Sequence, residues 1–182
     1  PEKYAATLPE GYTRIHKGVA YDDRAFRLFF QRFGGEEWFR RTIFVFVADH
    51  VSSEKFADKT RSYPGNMHIL AFIHTPDGAL RGQIDEITQQ LDLMPTLLSL
   101  VGNREPYFAF GRDVLNEPLR PQWSVSYDGE FRALTDGGTL RLDDAGSPVG
   151  EPTTADSLRP NFQALLQQYY SHIENKNYTV HD

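Results

Sequence analysis

Nine residues, Thr42-Ile-Phe-Val-Phe-Val-Ala-Asp-His50, constrain this chain more than any other stretch. Ile43 to Val47 is an unbroken apolar run of β-branched and aromatic residues, a composition suited to a pleated strand. It is apolar at every position instead of every second one. That pattern predicts a central strand covered by helices on both sides. The run stops on Asp49 and His50, an acid and an imidazole that are seldom buried without a partner. In open α/β sheets the reacting groups gather outside the carboxyl ends of the strands. The pair is therefore a site candidate. Successive strand side chains point to opposite faces, so both reach one point only if the strand ends there. Val51-Ser52-Ser53 supplies turn material for that ending. The alternative is an aspartate that caps a strand-end turn, followed by an unrelated histidine.

Before this stretch, residues 1–20 read as an irregular surface segment with two prolines, Gly11, Gly18 and a surface His16. Tyr21 to Phe33 has helical spacing, with Ala25, Leu28, Phe29 and Phe33 on one face. Asp22 or Asp23 would start that helix and Gly34-Gly35 would stop it. After His50 come seventeen residues (51–67) rich in Ser, Lys, Asp, Pro and Gly, a length that marks a functional or mobile loop. His68-Ile-Leu-Ala-Phe-Ile-His74 is a second apolar run. His68 enters it from the loop that follows the Asp-His pair and is a candidate neighbour of the site. His74, at the far end, is not.

Leu91 to Gly102 predicts a short helix, with a proline near its first turn and a glycine just past its end. Asp92 reads as its cap. Phe108 to Val114 is aromatic-rich around Gly111. From Trp123 the pattern changes to short alternating pieces, 123–127, 130–135 and 139–142, separated by Asp128-Gly129 and Gly137-Gly138. This predicts an antiparallel meander. Leu158 to Ile173 then predicts a closing amphipathic helix, with Phe162, Leu165, Leu166 and Tyr169 at helical spacing.

Composition excludes several classes. The 182 residues carry 40% hydrophobic and 13% aromatic residues, enough for a core. The net charge of −6 comes with no basic stripe, so nucleic acid is not an expected partner. There is no cysteine to form a disulfide or to report on the redox compartment. Apolar runs fall well short of the roughly 20 residues a spanning helix needs, and no signal peptide is visible. The chain opens on Pro1 and reads as part of something longer.

The series Tyr21, Phe29-Phe30, Trp38 and Thr42 to His50 resembles the metal-binding strand of sulfatase-like proteins of the alkaline phosphatase superfamily. The nearest branch is the lipoteichoic acid synthase-like phosphoglycerol transferases of the Bacteroides type. His68 to Ile73 resembles the family's following strand. Gln90 to Leu98 with Gly102 is similar to its characteristic helix, and Tyr107 to Asp113 with the closing hairpins and helix are similar too. The resemblance implies an α/β fold. Residues 1–120 would be the C-terminal part of a catalytic domain, with mostly parallel central strands flanked by helices. Residues 121–182 would be antiparallel hairpins and a helix packed on the same domain.

The resemblance further implies that Asp49 and His50 bind one divalent metal ion, Mn, Zn, Mg or Ca; His68, from its place after the loop that follows them, is the candidate substrate-binding residue. The nucleophilic hydroxyl and the remaining ligands would lie upstream of this chain. Its partners would be the N-terminal half of its own domain and a phosphate- or sulfate-ester substrate, with self-association of the isolated fragment. The whole protein would be membrane-anchored, with its catalytic domain periplasmic or extracellular. Family members often have glycine after Asp-His where this chain has Val51-Ser52. Two other readings stand beside this one: a non-catalytic sulfatase-fold binding module, and an unrelated α/β enzyme using Asp49-His50 as a metal-free acid/base pair.

Overall fold

The computed structural model describes residues 2–54, 57–117 and 122–176. They belong to two compact units, Pro1–Gln83 and Ile84–Asp182.

The N-terminal unit begins with a short helix, α1 (Glu2–Ala5), followed by the long α2 (Arg14–Phe33) and the single-turn α3 (Glu37–Arg40). Helix α2 starts at Arg14 instead of Tyr21, so its first turns correct the reading of residues 1–20 as irregular. Gly18 is unfavourable inside a helix by about 1 kcal/mol relative to Ala, which is why the sequence reads as broken there. Tertiary contacts override it. The Tyr4 ring sits 6.0 Å from Tyr21 and holds the Arg24 guanidinium 4.9 Å above its face.

Strand β1 (Phe44–Val47) pairs with β2 (Ala71–His74) in antiparallel register, Phe44 opposite His74 and Val47 opposite Ala71. The parallel neighbours expected for this strand are not among the described residues. A parallel return needs a crossover, usually helical, whereas the described residues between β1 and β2 form two 3₁₀ turns, Asp58–Thr60 and Gly65–Met67. One face of the ladder carries Phe44, Phe46, Phe72 and His74. Phe46 stacks on Phe72 at 4.6 Å and meets Phe26 of α2 at 5.1 Å. Phe39, buried at 4% exposure, closes the cluster 4.6 Å from Phe44 and 5.4 Å from Phe30. His74 lies 5.3 Å from the Phe30 ring and belongs to this packing. On the opposite face Val45 and Ile73 are half-buried, while Val47 and Ala71 are exposed.

In the C-terminal unit a 3₁₀ turn (Gln90–Asp92) leads into α4 (Leu93–Leu100). Asp92 closes a capping box, its Oδ2 accepting from Gln89 N at 2.9 Å, and its Oδ1 accepts from Arg112 N at 2.9 Å. Burial pushes its carboxyl pKa up, and the two backbone donors oppose that rise. The helix ends in a Schellman motif: Gly102 N donates to Ser99 O and Asn103 N to Leu98 O. Gly102 sits at φ 73, the left-handed conformation that glycine adopts without steric cost.

Gly111 is required for a different reason. A β-carbon there would lie 2.6 Å from Asp92 N and closer still to the Leu91 carbonyl, both of them backbone. Gly111→Ala must therefore push two main-chain segments apart and break the Arg112–Asp92 hydrogen bond. The expected loss is about 3 kcal/mol, measured by urea unfolding. A variant as stable as the parent would show that this approach is not fixed.

Strands β3 (Trp123–Tyr127), β4 (Phe131–Thr135) and β5 (Gly138–Leu142) form the expected meander, turning at Asp128-Gly129 and at Asp136-Gly137, one residue before the expected Gly137-Gly138, since Gly138 already pairs with Thr135. Alternation sends Ala133, Leu140 and Leu142 inward, where Phe162 of α5 (Arg159–Asn175) and Ala155 complete the core. A Thr153–Asp156 capping box starts the turn before α5.

On the outer face Arg132 and Arg141 stand directly opposite each other, a like-charge pairing that is unfavourable alone. Glu130 reconciles them. Its Oε1 accepts from Arg132 Nε and from Arg141 Nε, each at 2.7 Å, and its Oε2 accepts from Arg141 Nη2 at 2.8 Å. These bonds hold the Glu130 carboxyl at a pKa of about 2 against an ordinary 4.5. Its contribution is complete above pH 4.5 and is lost as the pH falls toward 2. Glu130→Gln is expected to cost about 2 kcal/mol at neutral pH. The gap between the two proteins' melting temperatures should close across that acid window.

Candidate functional site

Past Val47 the backbone ladder continues for one more bond, Ala48 N to Leu70 O at 3.0 Å, and then the chain bends at Asp49 and His50. With the strand ended, the two side chains turn toward each other. Asp49 Oδ2 lies 3.7 Å from His50 Nε2, and Asp49 Oδ1 accepts from the His50 backbone N at 2.9 Å. His50 Nδ1 donates to the Val51 carbonyl at 2.7 Å. In a neutral imidazole a proton on Nδ1 leaves the lone pair on Nε2, the nitrogen 3.7 Å from the Asp49 carboxylate. Both side chains are open to solvent, Asp49 at 90% and His50 at 78% exposure.

One carboxylate oxygen and one neutral imidazole nitrogen form a donor pair suited to borderline and hard divalent ions. Two such donors at about 2.1 Å on neighbouring corners of a tetrahedral ion stand about 3.4 Å apart, close to the observed spacing. The carbonyl that fixes the other ring nitrogen is the outer contact that metal-bound histidines ordinarily have. Among the described residues, no group of three or more His, Cys, Asp or Glu side chains could hold a metal ion. Here the chain therefore offers a pair and not a full ligand set.

His68 caps the 3₁₀ turn before β2 and is exposed. The ladder ends at the Ala48–Leu70 bond, so the strand pairing brings His68, two residues before Leu70, to the same end of the sheet as Asp49 and His50. Sequence spacing could not supply the Val51 carbonyl contact, because the bend that aims it appears only once the strand terminates. The loop between the pair and His68 is anchored locally, with Asn66 N donating to Ser62 O at 3.0 Å and His68 N to Gly65 O at 3.3 Å.

The sulfatase family model matches residues 2–103, more than half of the chain and the whole segment that carries Asp49, His50 and His68. The chain belongs to the sulfatase family. Its fold is similar to that of the lipoteichoic acid synthase LtaP from Listeria monocytogenes, with a TM-score of 0.64 at 18% sequence identity. That likeness covers 88% of this chain and 45% of LtaP, so the chain spans less than half of that protein's length. At this identity the likeness shows the fold alone. No curated protein sequence matches the chain significantly. Among the described residues no helix is long and apolar enough to cross a membrane.

Proposed function

We propose that this chain is the C-terminal part of a metal-dependent sulfatase-family enzyme that hydrolyses or transfers sulfate or phosphate esters, with Asp49 and His50 as two ligands of one divalent ion. The observation that carries the reading is the approach of Asp49 Oδ2 to His50 Nε2, 3.7 Å apart at the carboxyl end of β1, with Nδ1 already engaged. Family membership supports it. Bound there, Mn, Zn, Mg or Ca would supply a Lewis acid that activates a hydroxyl nucleophile and offsets charge on the transferring group. Asp49 contributes the anionic oxygen. His50 contributes a neutral nitrogen whose tautomer the Val51 carbonyl selects. His68, at the same end of the β1–β2 ladder, is assigned to the anionic end of the ester.

The nucleophile and the remaining ligands belong, in this reading, to the preceding half of the domain. That half would add to the open side of the β1–β2 ladder, and the isolated chain would self-associate there, since an uncovered strand edge invites pairing. The longer protein would be membrane-anchored, with this domain periplasmic or extracellular.

Residues 1–182 alone are expected neither to turn over p-nitrophenyl phosphate or sulfate with Mn, Zn, Mg or Ca nor to bind these ions tightly. Two donors stand where a metal site ordinarily offers about three or four. Kinetic assay and calorimetry on one sample test both points, and the longer polypeptide should be active and metal-loaded. A longer polypeptide that neither binds metal nor turns over would be a non-catalytic binding module. Turnover that survives chelation would point to a metal-free acid/base pair.

A further inference from the structure

A row of aromatic rings crosses the C-terminal unit and contains none of the residues of the ester site. Tyr127 lies 4.8 Å from Phe131, Phe131 6.2 Å from Tyr170, Tyr170 5.6 Å from Tyr169, and Tyr169 5.7 Å from Phe110, centroid to centroid. Beyond Phe110, Phe108 stacks on His172 at 4.4 Å. Three separate parts of the unit supply these rings: the segment around Phe108, the β3–β4 hairpin and α5. The phenylalanines are half-buried and form the footing. The outer surface is tyrosine, with Tyr127, Tyr169 and Tyr170 keeping 55%, 45% and 47% of their area exposed. A tyrosine offers an apolar ring face and a hydrophilic tip together, the combination found where one side of a contact is apolar and the other wet.

We propose that this row is a carbohydrate-binding platform, on which the sugar rings of a neutral glycan lay their C–H faces while their hydroxyls bond the phenols and a bordering carboxylate. That carboxylate is Asp144, whose Oδ1 accepts from Tyr127 Oη at 3.1 Å. Its charge decides between a glycan and a lipid surface. Asp143 precedes Asp144 in the chain; Asp128, which follows Tyr127, is paired with Arg132 at 3.6 Å, so Asp143 and Asp144 make the hairpin end of the row acidic. Helix α5 contains one arginine and no lysine. Surface-seeking helices carry Lys and Arg on their polar face and are drawn to anionic headgroups. This border repels them and leaves hydroxyl-rich, uncharged ligands as the fit. The proposal shares no residue with the Asp49–His50 site and stands or falls separately from it.

The test is calorimetric titration of the 182-residue chain with cellohexaose, xylohexaose, chitohexaose and maltohexaose, beside co-sedimentation with phosphatidylglycerol vesicles. At least one oligosaccharide is expected to bind in the millimolar range or tighter. Tyr170→Ala and Tyr127→Ala should each weaken that binding by about tenfold, with circular dichroism unchanged. Tyr12→Ala, at a ring 85% exposed in the other unit, should leave it untouched. Vesicle binding without sugar binding would make the row a membrane contact and overturn the proposal. So would no binding to any of the four sugars, or full-strength binding by the double variant Tyr127→Ala and Tyr170→Ala.

Discussion

Phe162→Ala is expected to destabilise the C-terminal unit by about 3–5 kcal/mol, the cost of truncating a large side chain in a packed core. Phe162 has no exposed surface, and it is the α5 residue around which the meander closes. Ala133, Leu140 and Leu142 present the inner face of β4 and β5 to it, and the Trp123 ring lies 6.2 Å away. Two members of the cluster are alanines, and Leu140 and Leu142 are held by strand pairing, so little can move to fill the space a missing ring leaves. A domain's whole stability is about 5–15 kcal/mol; the substitution removes a large share of it. The melting temperature should fall by about 15 °C or more, read by near-ultraviolet circular dichroism. Phe162→Leu, which keeps most of the apolar volume, should lose less than half as much. An unchanged melting point for the alanine variant would mean that α5 does not hold the meander.

Asp49→Asn should produce the largest functional change. In the longer polypeptide we expect turnover to fall on the order of a thousandfold, because several kcal/mol of charge stabilisation depend on the site. Stability should hardly move. The Asp49 side chain is 90% exposed, and its Oδ1 accepts from the adjacent His50 N. Exposed substitutions of this kind stay within about 0.5 kcal/mol. Loss of turnover with an unchanged melting curve separates a ligand from a structural residue, and the same comparison applied to His50→Ala tests its partner.

What could be read in the chain alone follows the range of the forces involved. The Asp-Gly turn at 128–129 and the alternation through Leu142 act within a few residues, and the meander forms where they place it. The capping role of Asp92 and the helix stop at Gly102 are equally local. The start of α2 was hidden because Gly18 weakens the helix where Tyr4, distant in sequence, supports it. The partner of β1 was hidden too. Its apolar run is compatible with either strand direction, and only the loop that returns to Leu70 makes the pairing antiparallel. Within the candidate site, Asp49 and His50 stood out by their position at a strand end. The Val51 carbonyl that orients His50 did not, since a backbone oxygen has no sequence signature. The tyrosine row was equally invisible, because it joins rings from Phe108 to His172 that only the folded unit brings together.

The most direct test of the central claim is an anomalous-difference map from crystals of the longer polypeptide grown with Mn or Zn. The account predicts one peak bonded at about 2.0–2.2 Å to an Asp49 carboxylate oxygen and to His50 Nε2, with Nδ1 still donating to the Val51 carbonyl. A metal ion held elsewhere, or one that leaves Asp49 and His50 free of it, would contradict the account.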